Sequence, residues 1–269
     1  MTVKIAALGA VLLLAGCQSV QTTQTGVVGV ERAQTMMLSS SQVNRSAERA
    51  YRDELAQATR KGLLNRDAAA VARVRGIATR LIAQTGVFRG DATGWSWETN
   101  VITSKDVNAW CMPGGKMAVY TGLIEKLQPT DDELAAVMGH EIAHALREHG
   151  RERASQAMGQ GIAIGVLGAL TGVSGVTQDL SQMVLDLTFN LPNSRTHETE
   201  ADRIGVELSA RAGFDPRAAA TLWQKMKAAS GGQPPQFLSS HPSHDTRIAD
   251  LQAYAQRVMP LYESARARR

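Results

Sequence analysis

Chemistry is written most plainly at His140, Glu141 and His144, which together read His-Glu-x-x-His. On a helix each residue advances by about 100°, so His144 lies about 40° round from His140 and one turn along, and both imidazoles can bind one ion. Glu141, displaced by about 100°, reaches a water on that ion without being a ligand itself. A metal there lowers the pKa of its water to roughly 7, and the carboxylate takes the proton as the water attacks a carbonyl. The bland alternative is a surface helix on which the pattern arose by chance. Against it, two inward histidines on an apolar helix are costly unless both are hydrogen-bonded or ligating. His149 falls about 180° from His140 by the same arithmetic and is read as a surface or supporting residue.

Behind these residues stands a helix predicted from Thr130 to Gly150. Thr130 caps it, Glu133 reaches back to the cap's N–H, and Asp131 and Asp132 sit at the positive end of the helix dipole. Gly150 marks the expected far end. A second helix, from Ser194 to Ala212, carries Glu198 and Asp202 four residues apart on one face, which Gly205 extends by another turn. Glycine there lets two helices approach closely. The arrangement suits Glu198 as a third ligand and Asp202 as the acceptor that orients a ligand histidine. Glu200 points to roughly the opposite side. The alternative is an exposed acidic helix with both carboxylates solvated.

Two alanine-rich helices are expected over residues 46–64 and 67–84, with Asp67 as a cap and Val71, Val74, Ala78, Leu81 and Ile82 as the buried stripe of the second. Trp95 to Thr103 reads as a strand, and Lys116 to Thr121 as another after the Pro113-Gly114-Gly115 turn. Lys116, Met117, Ala118, Val119 and Tyr120 are then the candidate edge strand to which an extended substrate adds through main-chain hydrogen bonds; the alternative is a hairpin that only covers the helix. Cys111, a lone thiol once Cys17 is set aside, is expected to be buried. Gly161 to Val176 is uncharged, glycine-rich and short for a membrane span, and reads as a buried or mobile flap. Asp215-Pro216 opens a further helix, His241-Pro242 lies in a loop, and Ser243 starts a last helix reaching about Met259.

The 269 residues, 43% hydrophobic, suffice for one full core. The net charge of +4, from 29 basic and 25 acidic residues, is spread along the chain without an aromatic-studded basic stripe, which argues against nucleic acid. Met1 to Cys17 combines Lys4, an apolar run from Ile5 to Ala15 and Leu14-Ala15-Gly16-Cys17. It reads as a signal peptide. The last four residues resemble a bacterial lipobox, which implies cleavage before Cys17 and acylation of that cysteine; Gln18 in the following position implies sorting to the outer membrane. Residues 18–44 are polar without a period and read as a tether.

The combination of His140-Glu141-Ile142-Ala143-His144, Ser194-Arg195-x-x-Glu198-x-x-Ala201-Asp202, Ser240-His241-Pro242 and Arg247-Ile248 resembles the gluzincin family that contains the CAAX prenyl proteases, the mitochondrial Oma-type peptidases and the periplasmic BepA and LoiP peptidases. Asn108-Ala109 with Pro113-Gly114-Gly115 resembles that family's hairpin. The resemblance implies one Zn2+ per chain on His140, His144 and Glu198, Glu141 as general base, and Asp202 and Arg247 behind the ligands. It implies for His241 either a place near the metal that holds the enzyme latent or a contact to the tetrahedral oxyanion. Thr199 stands where the family commonly has a tyrosine. The expected fold is α+β, mainly α: a zincin-like helical domain with a small antiparallel sheet beside the active-site helix. The expected organisation is a signal peptide over 1–16, a lipidated cysteine and flexible tether over 17–45, a peptidase domain over 46–258 and a basic tail over 259–269. The expected function is a lipid-anchored, periplasm-facing endopeptidase of a Gram-negative outer membrane. It cleaves unfolded or misfolded envelope proteins, with outer-membrane assembly machinery as a candidate partner. The rival readings are a chaperone with latent hydrolysis and a closed structural zinc module.

Overall fold

In the computed structural model, residues 18–171, 179–229, 235–242 and 246–268 are described. The expected signal peptide with Cys17, the last part of the glycine-rich stretch and Ser243 lie outside them. In chain order the elements are β1 (Gln18–Val20), β2 (Gln34–Met36), α1 (Ser40–Arg60), α2 (Ala68–Ile82), β3 (Glu98–Ile102), β4 (Ala109–Met112) and β5 (Lys116–Tyr120). They continue with α3 (Thr121–Leu127), α4 (Asp131–Leu146), α5 (His149–Thr171), α6 (Leu180–Leu185), a π-helical turn (Asp186–Asn190), α7 (Arg195–Arg211), α8 (Ala218–Ala228), α9 (Gln236–Ser240) and α10 (Arg247–Ala267). The class is α+β, mainly α, with an antiparallel β4–β5 hairpin beside α4.

Helix α4 starts as its sequence dictates. Thr130 Oγ1 accepts from the Glu133 N–H at 3.2 Å, while the Glu133 carboxylate accepts from the Thr130 N–H at 2.8 Å. Every side chain from Glu133 to Leu146 is buried, so this helix is the centre of the core rather than an amphipathic surface element. It ends earlier than Gly150: Arg147 closes it, and Glu148 takes a left-handed φ of 51°. The freed Arg147 carbonyl accepts from Gln34 Nε2 at 2.8 Å and Thr22 Oγ1 at 3.1 Å, so the N-terminal segment caps it.

The same contacts correct the expected tether. Residues 18–36 form the β1–β2 pair, and Val28, Val30 and Met36 are buried. Helix α1 begins at Ser40 on a Ser39 cap, six residues before the expected start. At the other end, α10 runs on to Ala267, so the segment expected as a basic tail is helical.

The sheet also departs from expectation. Its order is β3-β5-β4: β3 pairs parallel with β5, and β4 pairs antiparallel with β5. Lys116, Met117, Ala118, Val119 and Tyr120 are therefore the central strand, buried throughout, and not the edge. The edge next to α4 is β4. Side-chain alternation sends Cys111, Met117 and Val119 to the core shared with α4, and Trp110, Met112 and Ala118 to a second cluster with α1 and α6. Both faces of β4 are buried, so main-chain pairing with a further strand is confined to its outer edge.

Candidate metal centre

Helices α4 and α7 cross at two glycines. A Cβ on Gly205 would stand 2.8 Å from His140 N and 2.9 Å from its Cα; one on Gly139 would stand 2.9 Å from the Gly205 carbonyl oxygen. Only the missing side chains let the backbones meet this closely. The crossing brings Glu198 and Asp202 against His140 and His144, which are 62 or fewer residues distant in sequence but adjacent in space. His144 Nε2 lies 3.3 Å from Glu198 Oε1, and His140 Nε2 lies 3.0 Å from His144 Nε2 and 3.5 Å from Glu198 Oε2. His241 joins the three: its Nδ1 is 3.0 Å from Glu198 Oε1 and 3.2 Å from His140 Nε2.

These four side chains are all buried and offer donor atoms within ligating reach of one another. Bonds of 2.0–2.2 Å to a tetrahedral zinc place ligand atoms roughly 3.3 Å apart, and the separations here run from 3.0 to 3.5 Å. The outer nitrogens fit as well. His140 Nδ1 lies 2.9 Å from Asp202 Oδ1, so its proton belongs there and a lone pair on Nε2 faces inward. The Nε2 atoms of His140 and His144 stand 3.0 Å apart, as two ligands of one ion would. The residues present fit a zinc ion.

Electrostatics agree. Burial lowers the His140 imidazole's affinity for protons, but the Glu198 and Asp202 carboxylates outweigh it and raise the pKa to about 9. Burial keeps His144 neutral, well below its ordinary value. Glu198 resists the upward push of burial because the His241 and His140 charges hold it well below the carboxylate range. Glu141 goes the other way: burial raises it, opposed by His241 and His140. Its Oε1 has no hydrogen-bond partner and lies 3.5 Å from His241 Nε2. Glu141 is thus buried beside the donors without joining them, as the spacing requires.

Arg247, fully buried, closes the back of the site. Its Nη2 donates to Asp202 Oδ1 at 2.7 Å, its Nη1 lies 2.7 Å from Glu198 Oε2, and its guanidinium stacks 3.4 Å over Trp223. His241 is held from two sides: its ring stacks on Phe237, and Asn193 N–H donates to the neighbouring Ser240 carbonyl at 2.9 Å. In front, Glu141, His144 and His241 line a cavity of about 60 Å³ with Trp110, Val184 and Leu187. Cys111 also lines it, and burial lifts its thiol well above the ordinary range.

Sequence reasoning placed His140, Glu141, His144, Glu198, Asp202, His241 and Arg247, and the fold brings all seven together. Beyond the strand Lys116–Tyr120 it misplaced Glu200, and for His149 the fold takes the supporting place over the surface one. His149 is buried, with Nδ1 2.8 Å from His144 Nδ1, because the chain breaks at Glu148 and a new helix turns it inward. Glu200, expected to face away, is buried against His149, Arg147 and Arg32. Trp223 and Phe237, which wall His140, carried no local signal.

The pattern of peptidase family M48 matches residues 68–255. The chain is 37% identical over 177 residues to the mitochondrial metalloendopeptidase OMA1 of Schizosaccharomyces pombe, covering 65% of this chain and 50% of that protein. It is 40% identical over 154 residues to the OMA1 of Arabidopsis thaliana, 57% of this chain and 30% of that one. It is 29% identical over 171 residues to the beta-barrel assembly-enhancing protease of Escherichia coli, 60% of this chain and 35% of that one. The chain therefore spans half or less of the length of these relatives.

Proposed function

The chain belongs to peptidase family M48, and on that premise we propose that it is a zinc metalloendopeptidase whose centre is His140, His144 and Glu198. The observation that carries this reading is the cluster of donor atoms 3.0–3.5 Å apart with the Glu141 carboxylate, its Oε1 without a hydrogen-bond partner, at its side. Zinc held by these three residues supplies a Lewis acid that polarises the scissile carbonyl and lowers the pKa of water to roughly 7. The Glu141 carboxylate takes a proton from the attacking water and passes it to the leaving amine. Its raised proton affinity suits both transfers. A peptide laid along the outer edge of β4 pairs with the main chain of Ala109–Met112 and sets its carbonyl beside Glu141.

His241 completes four donors, and a zinc ion held by all four would have no place for substrate water. We read this as a latent state: His241 must withdraw before turnover. The clients on this reading are unfolded or misfolded envelope proteins. Support comes from the Leu14-Ala15-Gly16-Cys17 lipobox and from the likeness to a beta-barrel assembly-enhancing protease. Acylated Cys17 then anchors the domain to the outer membrane, facing the periplasm. No helix among the described residues is long and apolar enough to cross a membrane. The test is Glu141→Gln, which keeps zinc and fold and abolishes cleavage of a denatured protein; retained turnover refutes the assignment of Glu141.

A further inference from the structure

Resting on the zinc reading above, we propose that His149 is a positioning residue that sets which nitrogen of His144 faces the metal. Its ring is 1% exposed and bridges two partners: Nδ1 lies 2.8 Å from His144 Nδ1, and Nε2 lies 3.0 Å from Glu200 Oε2. Glu200 is a carboxylate between two arginines, with Arg147 Nη2 donating to Oε2 at 3.0 Å and Arg32 Nε donating to Oε1 at 2.7 Å, so it only accepts. His149 therefore carries its proton on Nε2 and presents a lone pair from Nδ1. The His144 proton must sit on Nδ1 to meet that lone pair, which turns the His144 Nε2 lone pair toward Glu198 and His140. The opposite assignment sets the His149 Nε2 lone pair against a carboxylate oxygen and aims an N–H at the metal position. Both ligand histidines are then oriented from behind, His140 by Asp202 and His144 by the Glu200–His149 pair.

The His149 ring is also held flat. His197 stacks on it at 4.4 Å between centroids with 22° between planes, and His197 Nε2 lies 3.2 Å from Glu152 Oε2. His149, Glu152 and His197 come within ligating distance of one another. Two of the three are already engaged, however: Glu152 accepts from Arg32 at 2.6 and 2.8 Å and from Gln34 at 2.6 Å, and His149 Nε2 faces Glu200, while His197 Nδ1 alone of this group has no partner. The group supports the metal ligand and does not form a second ion site. Arg32 and Gln34 belong to the segment that reads as a tether in sequence, so that segment contributes directly to the centre.

Long-range 1H–15N correlation on the metal-free wild-type protein reads the assignment directly, with His144 protonated on Nδ1 and His149 on Nε2. Zinc competition with a chelator then gives about a 10–100-fold weaker affinity for His149→Leu. His149→Asn, whose amide oxygen can take the place of Nδ1, restores affinity to within a few-fold of wild type. His144 protonated on Nε2, wild-type affinity in His149→Leu, His149→Asn as weak as His149→Leu, or a second zinc per chain that His149→Leu loses would each overturn the proposal. A wild-type chain that binds no zinc sinks the metallopeptidase reading instead, and the proton assignment in the metal-free protein still decides this one.

Discussion

Gly205→Ala tests whether the α4–α7 crossing, and not merely the ligand residues, builds the centre. The new methyl carbon would lie 2.8 Å from His140 N, 2.9 Å from His140 Cα and 3.0 Å from the Gly139 carbonyl carbon. All three are backbone atoms of a buried helix, and none can swing away. Restoring an ordinary contact of 3.4 Å from 2.8 Å requires the helices to part by 0.6 Å (3.4 − 2.8). Overpacking of this kind costs about 1–3 kcal/mol, or roughly 2–12 °C in Tm for a domain of this size. Glu198 rides on the same helix, and metal–ligand distances tolerate only about 0.2 Å. We expect zinc affinity to fall at least tenfold in a chelator competition, together with the loss in Tm of the metal-free protein. Gly76→Ala is the control, since its Cβ meets nothing within 4 Å in α2; it should be neutral or stabilise by about 0.5–1 kcal/mol. Wild-type zinc affinity and Tm in Gly205→Ala would refute the close-approach account.

Three further outcomes follow from the geometry. His241→Ala should retain zinc and raise the rate of casein digestion, because it removes the fourth donor from the site; a lower rate with zinc retained would make His241 a catalytic aid and not a gate. Asp202→Ala should weaken zinc about 10–100-fold by releasing the His140 Nδ1 proton from its acceptor, and unchanged affinity would remove Asp202 from the centre. The raised pKa of His140 fixes the sign of two pH effects in the metal-free protein. Its folded value of about 9 exceeds the ordinary 6.5, so its contribution to stability is full below pH 6.5 and is lost as pH rises through 9. Zinc must displace that proton, so binding at pH 7 should release about one proton, read by calorimetry in buffers of different ionisation enthalpy; no release would contradict it.

What the sequence makes legible here is what is local or periodic. The Thr130–Glu133 cap, the Asp67 cap whose Oδ1 accepts from the Ala69 and Ala70 N–H groups, and the shared face of Glu198, Asp202 and Gly205 depend on residues two to seven apart. They hold. The strand order could not be read, because the parallel pairing of β3 with β5 across an intervening strand leaves no periodic trace. Which of its two readings His149 takes could not be decided, because helical arithmetic assumes an unbroken helix and Glu148 adopts a left-handed conformation that non-glycine residues seldom take. The packed N-terminal segment was hidden for a third reason. Arg32 and Gln34 look like solvated polar residues until partners more than 100 positions away, at Arg147, Glu152 and Glu200, come within hydrogen-bond reach.

The central claim is that His140, His144 and Glu198 hold a single zinc ion between two helices. Metal analysis of the purified chain, wild type beside Glu198→Ala, tests it most directly: one zinc per wild-type chain and a large loss in the variant, at unchanged helical content, is the result expected. Zinc retained in full by Glu198→Ala, or none in a folded wild type, would contradict it.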